Sequence, residues 1–136
     1  MNLVDTSAWI EYFFGGPNAQ YFAAPIEATG TLLVSTISIY EVFKKVNIVA
    51  NEARALNAIA QMKQGRVEPV TESIALSAAL LSIKHKLAMA DSLILATAQQ
   101  CRATLWTQDK DFNGLPDMNF KTAHSNLSAF HGKPRR

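Results

Sequence analysis

The sequence predicts an α/β fold: three layers, with a central, mostly parallel sheet of four to five strands between helices. Three observations carry this. Short segments rich in leucine or β-branched residues, such as Leu3-Val4 and Thr104-Leu105-Trp106, alternate with longer helical patterns. That alternation is what parallel strands joined by crossover helices produce. The strand-like segments are continuously apolar, as strands covered on both faces are. The chain of 136 residues holds no internal repeat and no low-complexity segment, and it is long enough for one domain with a real core.

Each element has its own justification. Residues 2–4 read as a short buried strand that ends at Asp5. Thr6-Ser7 open an amphipathic helix over 6–14, with Trp9, Ile10 and Phe13 inward, and Gly15-Gly16-Pro17 stop it. A second helix covers 18–28 and buries Tyr21, Phe22 and Ile26; Pro25 inside it predicts a kink or an early end. Gly30 leads into a second buried strand at 31–34. Residues 35–38 are turn and cap residues before a helix that runs to 50. An Ala- and Leu-rich helix over 52–64 is closed by Gly65. Residues 67–70 form a short strand that Pro69 confines to an edge or an end. Thr71 caps a helix that runs to 86, and the helix containing Asp91 runs to 102. A strand at 104–106, a loop or helical turn at 109–113 and a last strand at 119–122 complete the reading. The domain is expected over 1–123, with a basic tail over 124–136.

Composition excludes several classes. Thirteen basic and 11 acidic residues give a net charge of +2, too weak to announce a nucleic-acid binder by itself. Part of that excess lies in the tail His131-Gly132-Lys133-Pro134-Arg135-Arg136, which reads as solvated. No run approaches the roughly 18 apolar residues of a membrane span. Residues 1–4 enter a strand without a basic leader or a cleavable apolar stretch, so no signal peptide is expected and the cytoplasm is the expected location. A single cysteine, Cys101, cannot make an internal disulfide or, alone, a zinc site; it reads as a small packed helix residue. His85, His124 and His131 have no metal-ligand spacing. There is no Gly-x-Gly-x-x-Gly, Walker loop or Gly-x-Ser-x-Gly elbow. Trp9, Tyr12, Phe13, Phe14, Tyr21 and Phe22 recur at helical spacing, as core or dimer-interface residues do.

The acids are more informative. Asp91 opens a helix that is apolar almost all round, Met89 to Ala98, and buried carboxylates are rare unless paired, hydrogen-bonded or bound to a metal. Asp5 and Glu41 also sit inside apolar runs, and Asp109 follows a strand. Each has a plain local reading. Asp5 and Asp91 suit helix capping. Ser38-Ile39-Tyr40-Glu41 fits a capping box. Asp109 and Asp111 fit a polar turn, with Asp111 the better cap candidate of the two. Glu11, Glu27, Glu52, Glu68, Glu72 and Asp117 fall at predicted caps, turns or exposed faces.

The fold supplies the competing reading. In open α/β sheets ligands collect at the carboxyl ends of the strands. Asp5 and Asp109 lie at such ends, and Glu41 and Asp91 lie in the first turns of their helices, so all four can converge on one sheet edge. Packed carboxylates repel unless some are protonated or a cation is present. A hard divalent ion, Mg²⁺ or Mn²⁺, prefers such oxygen ligands. The site would then orient and acidify a water and offset charge on a phosphodiester. Thr6, Ser7 and Thr107 would supply hydroxyls that fix the carboxylates. Lys44 and Lys45, one turn beyond Glu41, read by default as a solvated face, and they are placed to meet phosphates if the site is real.

Val4-Asp5-Thr6-Ser7, Ser38-Ile39-Tyr40-Glu41-Val42, Ala90-Asp91-Ser92-Leu93-Ile94 and Thr107-Gln108-Asp109-Lys110-Asp111-Phe112 resemble, in order and spacing, the acidic motifs of the PIN domain. The likeness is greatest to VapC-type toxins of prokaryotic toxin–antitoxin pairs and covers residues 1–122. It implies a parallel-sheet α/β/α fold, Mg²⁺- or Mn²⁺-dependent ribonuclease activity on RNA, homodimers, and inhibition by a small cognate antitoxin that covers the acidic pocket. By matching position it makes Asp5, Glu41, Asp91 and Asp109 the metal-binding catalytic acids, Thr6 and Thr107 hydroxyl support, and Asp111 an extra or alternative ligand. Two rivals stand beside this. One is a catalytically weak module of the same fold that grips RNA or protein. The other is a signalling receiver domain, which should show adjacent acids after the first strand; here Asp5 is alone.

Overall fold

The computed structural model describes residues 1–115 and 118–121. Five strands form one sheet: β1 (Asn2–Val4), β2 (Leu32–Ser35), β3 (Arg66–Glu68), β4 (Thr104–Thr107) and β5 (Met118–Phe120). Their order is β3-β2-β1-β4-β5, and every neighbouring pair is parallel. The connections hold α1 (Thr6–Phe13), α2 (Ala19–Glu27), α3 (Thr36–Val49), α4 (Glu52–Met62), α5 (Glu72–His85) and α6 (Met89–Gln100), with single 3-10 turns at Thr29–Thr31 and Lys110–Phe112.

Side chains alternate across a strand, and here both sets are buried. Val4, Leu32 and Val34 face one core with Trp9 and Ile10 of α1, Phe22 and Ile26 of α2, Val42 and Val46 of α3, and Ala55, Ala58 and Met62 of α4. Leu3, Leu33 and Leu105 face the other, against Ile94, Leu95 and Ala98 of α6 and Phe112. Helix α5 packs outside α6 through Ile74, Ala78 and Ala96. This is the expected three-layer arrangement, with α1 to α4 on one face and α5 and α6 on the other.

The edge strand β3 ends at Glu68, just before Pro69, as a residue without an N–H requires. Thr71 caps α5: its hydroxyl accepts from the Ile74 N–H at 3.2 Å. Pro25 lies inside α2, which ends two residues later at Glu27. The C-terminal strand is Met118–Phe120. Thr122, His124, His131, the proposed boundary after 123 and the basic tail lie outside the described residues. Among the described residues no single helix is long and apolar enough to cross a membrane.

One element differs from expectation. Helix α3 starts at Thr36, with no intervening turn after β2. Its N-cap is Ser35, the last strand residue, whose hydroxyl accepts from the Ile37 N–H at 3.1 Å. Ser38 is therefore inside the helix and buried, so the capping box with Glu41 does not form. Strand pairing through Ser35 with Glu68 fixes the start one turn earlier than the cap pattern suggests.

The strand order creates a switch point. From β1 the chain moves to β2 on one side; from β4 it moves to β5 on the other. The crevice between diverging connections lies beyond the carboxyl ends of β1 and β4. Asp5 and the segment from Thr107 to Asp111 occupy it.

Candidate metal centre

Asp5 follows β1 directly and is 1% exposed. Its N–H donates to the Trp106 carbonyl at 3.0 Å, extending the pairing of β1 with β4 by one residue. It is also the N-cap of α1: Oδ1 accepts from the Ala8 N–H at 3.0 Å and from the Ser7 hydroxyl at 2.7 Å. The local capping reading is thus correct, and it uses one carboxylate oxygen. The other, Oδ2, accepts from the Thr107 hydroxyl at 2.7 Å. Burying a carboxylate is costly, and charge-assisted hydrogen bonds of this kind offset that cost.

Thr107, the last residue of β4 and fully buried, links Asp5 to the next acid. Its Oγ1 accepts from the Asp109 N–H at 2.9 Å while donating to Asp5. Asp109, not Asp111, caps the 3-10 turn Lys110–Phe112, its Oδ1 accepting from the Asp111 N–H at 3.0 Å. The assignment of the cap to Asp111 is therefore corrected. Asp111 is left exposed, and together with Asp109 and Asp91 it offers one of three carboxylate oxygens that all lie within 4.8 Å of one another. Asp91 sits in the first turn of α6 but does not cap it; the cap position is Ala88. Packing of Ile94, Leu95 and Ala98 against Leu3 and Leu105 brings the start of α6 to β1 and β4.

Glu41 is in the second turn of α3. Its Oε1 accepts from the Thr6 hydroxyl at 2.5 Å. Thr6 has a single proton to give, so the 3.1 Å contact between Thr6 Oγ1 and Ser38 Oγ has Ser38 as donor. Glu41 is thus tied to the residue next to Asp5. It lines a groove of about 310 Å³ with Thr6, Ile10, Tyr40, Lys44, Lys45 and Ile48. A larger apolar groove, about 560 Å³, continues along α3 and α4 past Tyr40, Phe43, Ile48 and Leu56.

The structure therefore groups Asp91, Asp109 and Asp111 directly, joins Asp5 to Asp109 through one hydroxyl, and places Glu41 on the far side of Thr6. Three carboxylate oxygens within 4.8 Å form a hard, anionic donor set that suits Mg²⁺ or Mn²⁺. His85 ends α5 in its last turn, and Cys101 is half-buried, its thiol pKa raised chiefly by burial.

One expectation is overturned. Glu11 is not at a cap, a turn or an exposed face: it is 2% exposed. Its carboxylate accepts from the Asn18 N–H at 2.7 Å and from the Gln108 side-chain amide at 3.2 Å. The sequence signal was the pair Gly15-Gly16 behind it. A Cβ at Gly16 would collide with the Glu11 carboxyl group.

The PIN domain family model matches residues 3–117, and the chain belongs to that family. Among solved structures it is similar to a toxin–antitoxin complex from Klebsiella pneumoniae, with 28% identity and a TM-score of 0.71 over 87% of this chain and 95% of that one. It is also similar to FitAcB from Neisseria gonorrhoeae, with 26% identity and a TM-score of 0.64 over 82% of this chain and 89% of that one. VapC20 from Mycobacterium tuberculosis, a sarcin-ricin loop cleaving toxin, shares the fold at 19% identity and a TM-score of 0.70, over 82% of this chain and 92% of that one. No curated protein matches the sequence.

Proposed function

We propose that this protein is a metal-dependent endoribonuclease and the toxin of a toxin–antitoxin pair. Asp5, Glu41, Asp91 and Asp109 are its catalytic, metal-binding acids, with Asp111 as a further ligand and Thr6 and Thr107 in support. The observation that carries the reading is the grouping of Asp91, Asp109 and Asp111 at the switch point of a PIN-family sheet, one hydroxyl from Asp5. A bound Mg²⁺ or Mn²⁺ would offset phosphodiester charge and acidify a water. The chain's own residues do the rest. Asp91, Asp109 and Asp111 supply oxygen donors. Ser7, Thr107 and the Ala8 N–H hold Asp5 in one orientation. Thr6 aims Glu41. Lys44 and Lys45 line the adjoining groove, where they meet the phosphates of an RNA strand. The likeness to a toxin–antitoxin complex supports a small antitoxin as partner, and the family pattern supports a homodimer acting in the cytoplasm.

Cleavage of an RNA mixture in Mg²⁺ or Mn²⁺ tests this. Asp5→Asn and Asp91→Asn should each lower turnover on the order of a hundredfold or more while leaving the protein folded. Turnover equal to the wild type in either variant would sink the proposal.

A further inference from the structure

The buried carboxylate of Glu11 takes no part in that chemistry, yet it closes a network. Oε2 accepts from the Asn18 N–H at 2.7 Å, and Oε1 accepts from Gln108 Nε2 at 3.2 Å. Gln108 Oε1 in turn accepts from Asn18 Nδ2 at 3.0 Å. Glu11 of α1, Asn18 of the loop after it and Gln108 of the segment after β4 thus form a ring, closed through the Asn18 backbone N–H. Gln108 lies between Thr107, which donates to Asp5, and Asp109, one of the grouped acids. Its own N–H donates to the Ser7 hydroxyl at 3.3 Å, and Ser7 donates to Asp5. Two successive residues are therefore pinned to α1 and its N-cap at three points: Thr107 by Asp5, Gln108 by Ser7 along the backbone, and Gln108 by Glu11 through its side chain.

A carboxylate only accepts, and both Glu11 oxygens face donors. Leaving such a group buried without those donors is costly. The orientation of the ring is specific to the charge: a glutamine at 11 keeps the Asn18 N–H bond only by turning its NH₂ to Gln108, and the Gln108 and Asn18 side-chain amides must then both reverse. Gly16 is part of the same fit, since only a residue without Cβ lets the chain pass so close to the carboxyl group.

We infer that Glu11 is a positioning residue, which fixes Asp109 relative to Asp5 by holding the side chain of Gln108. The inference rests on the nuclease reading above. It states that a group outside the metal-binding set governs how well that set takes its ion.

The test uses two single variants and their combination. Glu11→Gln removes the charge that holds both donors and forces the Gln108 and Asn18 amides to reverse, and Gln108→Glu places two carboxylates in the 3.2 Å contact. Together they restore every hydrogen bond: the new amide at 11 accepts from the Asn18 N–H and donates to the new carboxylate at 108, which also accepts from Asn18 Nδ2. Mn²⁺ binding is read by electron paramagnetic resonance, with cleavage kinetics and thermal melts alongside. Each single variant should weaken Mn²⁺ binding and lower kcat about tenfold, with KM for RNA nearly unchanged, and the double variant should recover most of both. Single variants that melt lower but bind Mn²⁺ like the wild type, assayed well below their melting temperatures, would overturn the inference by leaving Glu11 a purely structural role. A double variant no better than the singles would overturn it too. A wild type that binds no Mn²⁺ at all would instead remove the nuclease reading, so the two failures are distinct.

Discussion

The hydroxyl of Thr107 donates to the carboxylate of Asp5 at 2.7 Å, joining residues 102 positions apart. The same oxygen accepts from the Asp109 N–H, so one buried side chain coordinates two acids on two different elements. Thr107→Val keeps the shape and removes both bonds. It should destabilise the fold by about 2 kcal/mol or more, because a buried carboxylate oxygen and a backbone N–H lose their partner. Thr107→Ser should stay close to the wild type. Urea unfolding with an unchanged m-value is the measurement, and equal midpoints for Val and Ser would refute the assignment.

Divalent ions should stabilise the protein. Anything that binds only the folded state raises its stability by mass action, about 2.7 kcal/mol at a hundred times Kd. Millimolar Mg²⁺ or Mn²⁺ should therefore raise the melting temperature by several degrees, and Asp109→Asn should blunt the rise. Ca²⁺-free chelated samples supply the baseline.

The start of α3 gives a discriminating pair. Ser35→Ala removes the N-cap and should cost about 1 kcal/mol in a thermal or urea melt. Ser38→Ala leaves the cap intact and removes the donor to Thr6, so it should disturb the hold of Thr6 on Glu41 and lower cleavage more than stability. The opposite ranking would restore the capping box.

Gly65 abuts β2. A Cβ there would lie 2.8 Å from Leu32 Cγ and 2.9 Å from the Leu32 carbonyl oxygen, and the latter is backbone that cannot swing aside. Gly65→Ala should cost about 1–3 kcal/mol with catalytic parameters unchanged at temperatures where the variant is folded.

Cys101 should alkylate slowly. Burial raises its thiol pKa above the ordinary thiol range, and the Glu68 charge adds to this while Arg66 opposes it. The thiolate is the reactive form, so iodoacetamide labelling should still be accelerating at a pH where an ordinary exposed cysteine has levelled off. A rate that levels off near neutral pH would contradict this.

The parallel sheet and the nearness of Asp5 to Asp109 were legible in the sequence because both follow from strand ends. Asp5 comes directly after one strand-like run and Asp109 shortly after another, and the topology pairs those strands. What was not legible depended on distant partners. On a helical wheel Trp9, Ile10 and Phe13 mark the inner side of α1, and Glu11 falls off it. Its burial comes from the return of the chain at Asn18 and from Gln108, 97 residues away. The start of α3 was misplaced because Ser35 and Ser38 both offer a cap, and only the pairing of β2 with β3 chooses between them. Turn chemistry alone favours Asp111 over Asp109 as the cap, and it does not reveal that the Asp109 carboxylate caps the turn and also lies near Asp91.

The placement of β1 between β2 and β4 has a consequence for synthesis. Emerging from the ribosome, the residues before β4 can pair β1, β2 and β3, but the flank of β1 that carries Asp5 stays open until β4 arrives. Until that strand emerges, Asp5 has no Thr107 to hold it and Asp91 no Asp109 beside it. On the nuclease reading proposed above, an enzyme assembled in this order is blunt on the very machine that makes it until β4 is in place.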